Sequence, residues 1–170
     1  MLLDLVKLGV SPRPFDFTMR PGEIDLETAG VELASEVNVR GEARKNEAGV
    51  EVKGTANGAL EIDCTRCLKA VATPFDIEFD VSFISPEHAS SAKEIQLNQA
   101  DLGADVFGGE ELDLNELVRE QILLSLPEQT LCREDCEGLC QNCGADLNEG
   151  DCGCGDEDID PRWAALKGLK

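Results

Sequence analysis

Apolar and polar residues alternate along several stretches of this chain. Val31, Leu33, Val37 and Val39 are interleaved with Glu32, Ala34, Glu36, Asn38 and Arg40, with Ser35 as the one weak position. A period of two places alternate side chains on opposite faces, so this stretch predicts a half-buried strand. Residues 50–56 and 59–64 read as further strands on either side of Asn57-Gly58. Asn-Gly readily takes positive φ at both turn positions, which predicts a two-residue hairpin there. The cleanest alternation follows Pro74, where Phe75, Ile77, Phe79, Val81 and Phe83 are separated by Asp76, Glu78, Asp80 and Ser82. Residues 41–49 are charged and bounded by glycines, which suggests a turn. Residues 1–10 fit a first strand or a helical turn equally well. A further strand is expected around Ile95 and Leu97.

The period then changes. Leu114, Leu117, Val118 and Ile122 recur at helical spacing, and Leu124 and Leu126 widen the apolar stripe. Asp113 suits the N-cap, Glu116 stands where a return hydrogen bond would start, and Pro127 ends the run. A short terminal helix is expected from Asp160-Pro161-Arg162-Trp163, with Trp163, Leu166 and Leu169 on one face. The pattern predicts an α+β fold: a mainly antiparallel β-sheet, one packed helix and a C-terminal cysteine-rich zinc-binding module. Residues 1–127 form the body and residues 128–170 the appended module and tail.

Cysteine placement gives that module its chemistry. The chain has eight: Cys64 and Cys67 as C-x-x-C, then Cys132, Cys136, Cys140, Cys143, Cys152 and Cys154 close together. Thiol pairs in Gly-, Asn- and Asp-rich turns suit tetrahedral Zn²⁺, and four thiolates close a structural site. Eight cysteines therefore imply two ions. Cys140, Cys143, Cys152 and Cys154 are local enough to close one site, leaving Cys132 and Cys136 to complete Cys64 and Cys67. A swapped pairing is sterically possible, and spacing alone does not choose. An all-cysteine site has no open position for catalysis, so no enzyme chemistry is expected. Iron in a four-thiolate site fits these short turns less well. His88 stands apart from every cysteine and reads as a solvated loop residue.

Charge narrows the partners. The formal net charge is −20, and residues 101–160 hold 18 acidic and 2 basic side chains. Such a surface repels phosphate backbones, so direct nucleic-acid binding by this half is disfavoured. It suits a basic protein instead. No apolar run approaches the ~20 residues needed to span a bilayer. The N-terminal stretch has Asp4 within its apolar residues and no basic leader, so a cytoplasmic protein with reduced thiols is expected.

Several motifs together resemble the YceD family, the large ribosomal RNA subunit accumulation proteins. They are Asp63-Cys64-Thr65-Arg66-Cys67-Leu68, Asp113-Leu114-Asn115-Glu116, and Ile122-Leu123-Leu124-Ser125-Leu126-Pro127. The tail continues the match with Leu131-Cys132, Cys136-Glu137-Gly138-Leu139-Cys140, Cys143-Gly144, Leu147-Asn148, Cys152, Cys154 and Asp160-Pro161-Arg162. The resemblance implies a non-enzymatic factor, bacterial or plastid, needed for accumulation of large-subunit (23S) ribosomal RNA. Some members lack the cysteine tail, which implies a structural role for metal here. Charge and resemblance agree if the partner is a basic large-subunit ribosomal protein or an rRNA-processing factor. The competing reading is a thiol redox or metal-sensing protein using Cys64 and Cys67, with Arg66 and Lys69 lowering a thiol pKa.

Overall fold

The computed structural model describes residues 1–86, 104–154 and 162. In chain order they form β1 (Leu2–Asp4), β2 (Arg13–Met19), β3 (Val31–Leu33), β4 (Val37–Lys45), β5 (Gly49–Asp63) and β6 (Ala70–Ile84). After them come β7 (Ala104–Val106), β8 (Glu111–Asp113) and α1 (Leu114–Leu124). The result is mainly β-sheet, with a single helix among the described residues.

The long pair β5–β6 is the spine. Each strand has 15 residues, and they pair antiparallel along their full length, from Gly49↔Ile84 to Asp63↔Ala70. β4 and then β2 extend the sheet beyond β5, and β7 lies parallel beside the far end of β6. β1 pairs with β8 in a separate two-stranded ribbon, so the N-terminal residues resolve as strand. The alternating positions read from the sequence define the buried face. Val37, Val39, Val52, Ala56, Leu60 and Phe79 meet Leu114, Leu117, Val118 and Ile122 of α1 in one core. The opposite face is wet and carries ion pairs, Arg40 with Asp16 at 3.1 Å and Lys53 with both Glu51 and Asp80 at 2.9 Å.

Asn57-Gly58 is not a hairpin. Both residues lie inside β5, opposite Asp76 and Phe75 of β6. Position 58 is tight, since a Cβ there would come within 3.1 Å of the Phe75 ring and 3.2 Å of the Glu36 carbonyl. The break falls across the sheet instead. β3 and β4 share one edge of β5, and at the gap between them the Ala59 N–H donates to the Ser35 hydroxyl at 2.9 Å. The weak position in the first alternation is thus where the strand divides. Nor do residues 41–49 turn as a whole. β4 continues to Lys45, and the reversal is confined to Asn46–Ala48, whose Asn46 Oδ1 accepts from Ala48 and Gly49 N–H. Gly41 sits mid-strand facing Gly54, in a spot where backbone crowding favours it. Pro74, expected ahead of its strand, lies within β6 opposite Ala59.

The helix begins and ends close to expectation. Asp113 caps it by accepting from Asn115 N–H at 2.9 Å. Glu116 makes no return bond to the cap and pairs with Arg119 at 2.9 Å. Arg119 also reaches the Asp25 carbonyl at 2.7 Å, fastening α1 to the loop before β3. His88, the strand around Ile95 and Leu97, and the helix around Trp163 lie outside the described residues. No helix among the described residues is long and apolar enough to cross a membrane.

Candidate metal centre

The tip of the β5–β6 hairpin is a knuckle. Cys64 N–H donates to the Lys69 carbonyl at 2.8 Å, and Leu68 N–H donates back to the Cys64 carbonyl at 2.9 Å. Leu68 closes the turn in a left-handed conformation, φ 59°. The same turn recurs further along the chain. Cys140 N–H donates to the Ala145 carbonyl at 2.8 Å, Gly144 N–H donates to the Cys140 carbonyl at 2.9 Å, and Gly144 has φ 73°. Residues 64–69 and 140–145 are therefore two copies of one device. A C-x-x-C turned this way brings two sulfurs together while their backbone N–H groups point at the first of them.

Each knuckle meets a second cysteine pair. Around the hairpin tip, Cys64 Sγ lies 3.8 Å from Cys136 Sγ, and Cys67 Sγ lies 3.5 Å from Cys132 Sγ. The Sγ atoms of Cys64, Cys67, Cys132 and Cys136 all lie within 4.8 Å of one another, as do those of Cys140, Cys143, Cys152 and Cys154. Four sulfurs placed tetrahedrally about 2.3 Å from an ion are separated by about 3.8 Å. The donor sets fit, so both tetrads could hold a metal ion. All eight cysteines are free thiols, none joined in a disulfide.

The two tetrads differ in setting. Cys64, Cys67 and Cys136 are buried beneath Val71, Leu131 and Leu139, and only Cys132 is exposed. The second tetrad has no buried member, with Cys143 and Cys154 exposed. Burial works against ionising Cys64, yet the N–H groups of Cys67, Arg66 and Cys132 hold it at about 6. Cys140 is likewise held at about 6, first by the Cys143 N–H and then by that of Asn142. One thiol of each set is pushed the other way, to about 12: Cys132 by its contact with Cys67, and Cys154 by its contact with Cys143. A cation arriving at either tetrad displaces those protons.

Polar contacts latch the module to the hairpin. Thr65 N–H donates to the Thr130 carbonyl at 2.8 Å, and Leu139 N–H to the Arg66 carbonyl at 3.1 Å. The Arg66 guanidinium donates to the Cys136 carbonyl at 2.7 Å, so its charge is spent on the backbone. Lys69 pairs with Asp146 at 2.6 Å rather than facing a thiol. Asn148 ties the arrangement together. Its Nδ2 reaches Cys136 Sγ at 3.5 Å and Asp146 Oδ1 at 2.6 Å, while its Oδ1 accepts from Glu137 N–H and Arg133. The Lys69–Asp146–Asn148 network was not singled out from the sequence, where only the motif Leu147-Asn148 hinted at it. Cys64 has no exposed surface, so an oxidant or disulfide in solution does not reach this thiol in the present conformation.

The family model described as "Large ribosomal RNA subunit accumulation protein YceD" matches residues 52–170, which span β5 to the tail. The chain belongs to the YceD family. The matched stretch of this YceD-family chain contains all eight cysteines. An uncharacterised protein of Mycobacterium tuberculosis is 30% identical over 170 residues, 98% of this chain and 79% of the relative. The uncharacterised protein YlbN of Bacillus subtilis is 28% identical over 159 residues, 91% of this chain and 86% of its own. A chloroplastic protein of Arabidopsis thaliana, named large ribosomal RNA subunit accumulation protein YCED homolog 1, is 33% identical over 60 residues, 35% of this chain and 19% of its own. No solved structure matches the chain.

Proposed function

We propose that this protein is a non-enzymatic ribosome-biogenesis factor of the cytoplasm that supports the synthesis, processing or accumulation of large-subunit ribosomal RNA. The observation that carries this reading is the match of residues 52–170 to the family model of that description. It acts by binding. The partner is a basic large-subunit ribosomal protein or processing factor, drawn to an acidic surface on which Glu128, Glu134 and Glu137 are exposed near the first tetrad. Two Zn²⁺ ions, held by Cys64, Cys67, Cys132 and Cys136 and by Cys140, Cys143, Cys152 and Cys154, supply cross-links rather than catalysis. Four thiolates leave zinc no open position, so its contribution is to fix the module on the hairpin.

Two measurements test the reading. Depletion of the protein in cells should lower large-subunit ribosomal RNA relative to small-subunit RNA. Purified protein should capture large-subunit ribosomal proteins, and the triple variant Glu128→Lys, Glu134→Lys, Glu137→Lys should abolish capture with the fold intact. Undiminished capture by that variant would overturn the acidic-surface mechanism, and an unchanged RNA ratio would overturn the role itself.

A further inference from the structure

Asn148 touches one tetrad and is carried by the other. By chain position it lies in residues 144–151, the loop whose flanking residues Cys143 and Cys152 belong to the second tetrad. Its side chain lies against the first tetrad, where Nδ2 donates to Cys136 Sγ at 3.5 Å. The network fixes which way the amide points. Nδ2 faces two acceptors, Cys136 Sγ and Asp146 Oδ1, and Oδ1 faces two donors, the Glu137 N–H at 2.9 Å and Arg133 at 2.7 Å. Turning the amide over would set its oxygen against a carboxylate and its nitrogen against other N–H groups. The rest of the loop is pinned by Leu147 N–H, which donates to the Gly138 carbonyl at 2.9 Å, and by the Lys69–Asp146 ion pair at 2.6 Å. A donor matters at Cys136 more than at a surface thiol. The residue is 1% exposed, so water does not solvate its sulfur. Four thiolates around one dication leave a net negative charge, and N–H groups aimed at sulfur stabilise such charge where it is buried.

We propose that Asn148 couples the two tetrads, so that an ion in either one tightens the other. An ion in the second tetrad holds Cys143 and Cys152, and with them the loop. That removes much of the freedom that placing Asn148 against Cys136 would otherwise cost. An ion in the first tetrad holds Cys136 where Asn148 meets it, and linkage makes the two effects equal. The exposed tetrad thereby acts on the buried one: loss of its ion loosens the clamp between module and hairpin. Asn148 is a positioning residue and ligates neither ion. The proposal rests on the two-ion reading and is independent of the ribosomal role.

The test compares zinc dissociation constants, measured on the full, reduced chain by competition with a chromophoric chelator. Two half-blocked chains give each tetrad alone: one with Cys64→Ser and Cys67→Ser, the other with Cys152→Ser and Cys154→Ser. The product of the two constants in the intact chain should be about tenfold smaller than the product of the two single-tetrad constants, a usual strength for coupling between sites. With Asn148→Ala carried through the same three chains, the two products should agree. A side chain that only shaped the first tetrad would weaken it equally in intact and half-blocked chains and leave the ratio where it was. Amide NMR gives a reading that leaves Asn148 in place. Its side-chain amide protons should exchange slowly in the two-ion chain and much faster in the Cys152→Ser, Cys154→Ser chain. Equal products in the wild type, a ratio that survives Asn148→Ala, or unchanged amide exchange would overturn the coupling and leave the two-ion reading standing. A wild-type chain that takes up fewer than two zinc ions would overturn both.

Discussion

Asp146 shows how much a single side chain can carry without being a ligand. Its carboxylate is held at about 2, first by Lys69 and then by the Asn148 N–H groups. A carboxyl whose folded pKa is depressed stabilises the fold at every pH above its ordinary value near 3.8, and that contribution is lost as pH falls through about 2. Carbonyl NMR should therefore find Asp146 still ionised at pH 4, where an ordinary aspartate is close to half-protonated. In Lys69→Met the titration should move up toward the ordinary range; an unmoved midpoint would mean that Lys69 is not the cause. None of this is legible in the chain, because Lys69 and Asp146 are far apart in sequence and each is an unremarkable surface residue type. The cysteines are legible for the opposite reason: C-x-x-C pairs set in tight turns have the spacing of metal ligands. Which cysteine pairs meet is decided by where the hairpin tip lies, and spacing alone left that choice open.

At the scale of elements, alternation predicted the buried face of the sheet well and its turns poorly. Phe75, Ile77, Phe79, Val81 and Phe83 line one side of β6 as their spacing implies. Asn57-Gly58 misled because the turn preference of the dipeptide, worth little by itself, was outweighed by continuous pairing with β6. Glycines in this sheet answer to crowding between strands, which a sequence does not display. Two substitutions separate the explanations. Asn57→Thr, on an exposed strand position, should leave stability unchanged or raise it by a few tenths of a kcal/mol, whereas loss of a true Asn-Gly turn would lower it. Gly41→Ala should cost about 3 kcal/mol in denaturant unfolding, since its methyl would fall 2.2 Å from the Lys53 carbonyl oxygen, a backbone atom that has little room to move.

For the whole molecule, the burial of the two tetrads sets an order of release. A chelator or alkylating agent should strip and label Cys140, Cys143, Cys152 and Cys154 first, while Cys64, Cys67 and Cys136 resist. Native mass spectrometry followed by peptide mapping of the labels reads that order, and simultaneous loss would show that exposure does not control it. Cys64→Ser should lose one ion and free the module from the hairpin tip, while the β-sheet signal persists because the main core contains no cysteine. The twin knuckles also divide the molecule in time. Cys64 and Cys136 are 72 residues apart, whereas the second tetrad lies within residues 140–154. During synthesis the hairpin emerges with half a site and waits, and the later tetrad can fill as soon as its own short stretch clears the ribosome. With the proposed ions in both tetrads, metal supply would govern when the chain is finished as well as how firmly it holds. A cell short of the ion would accumulate molecules with a folded sheet and an unlatched module, born at the machine whose parts they are proposed to serve.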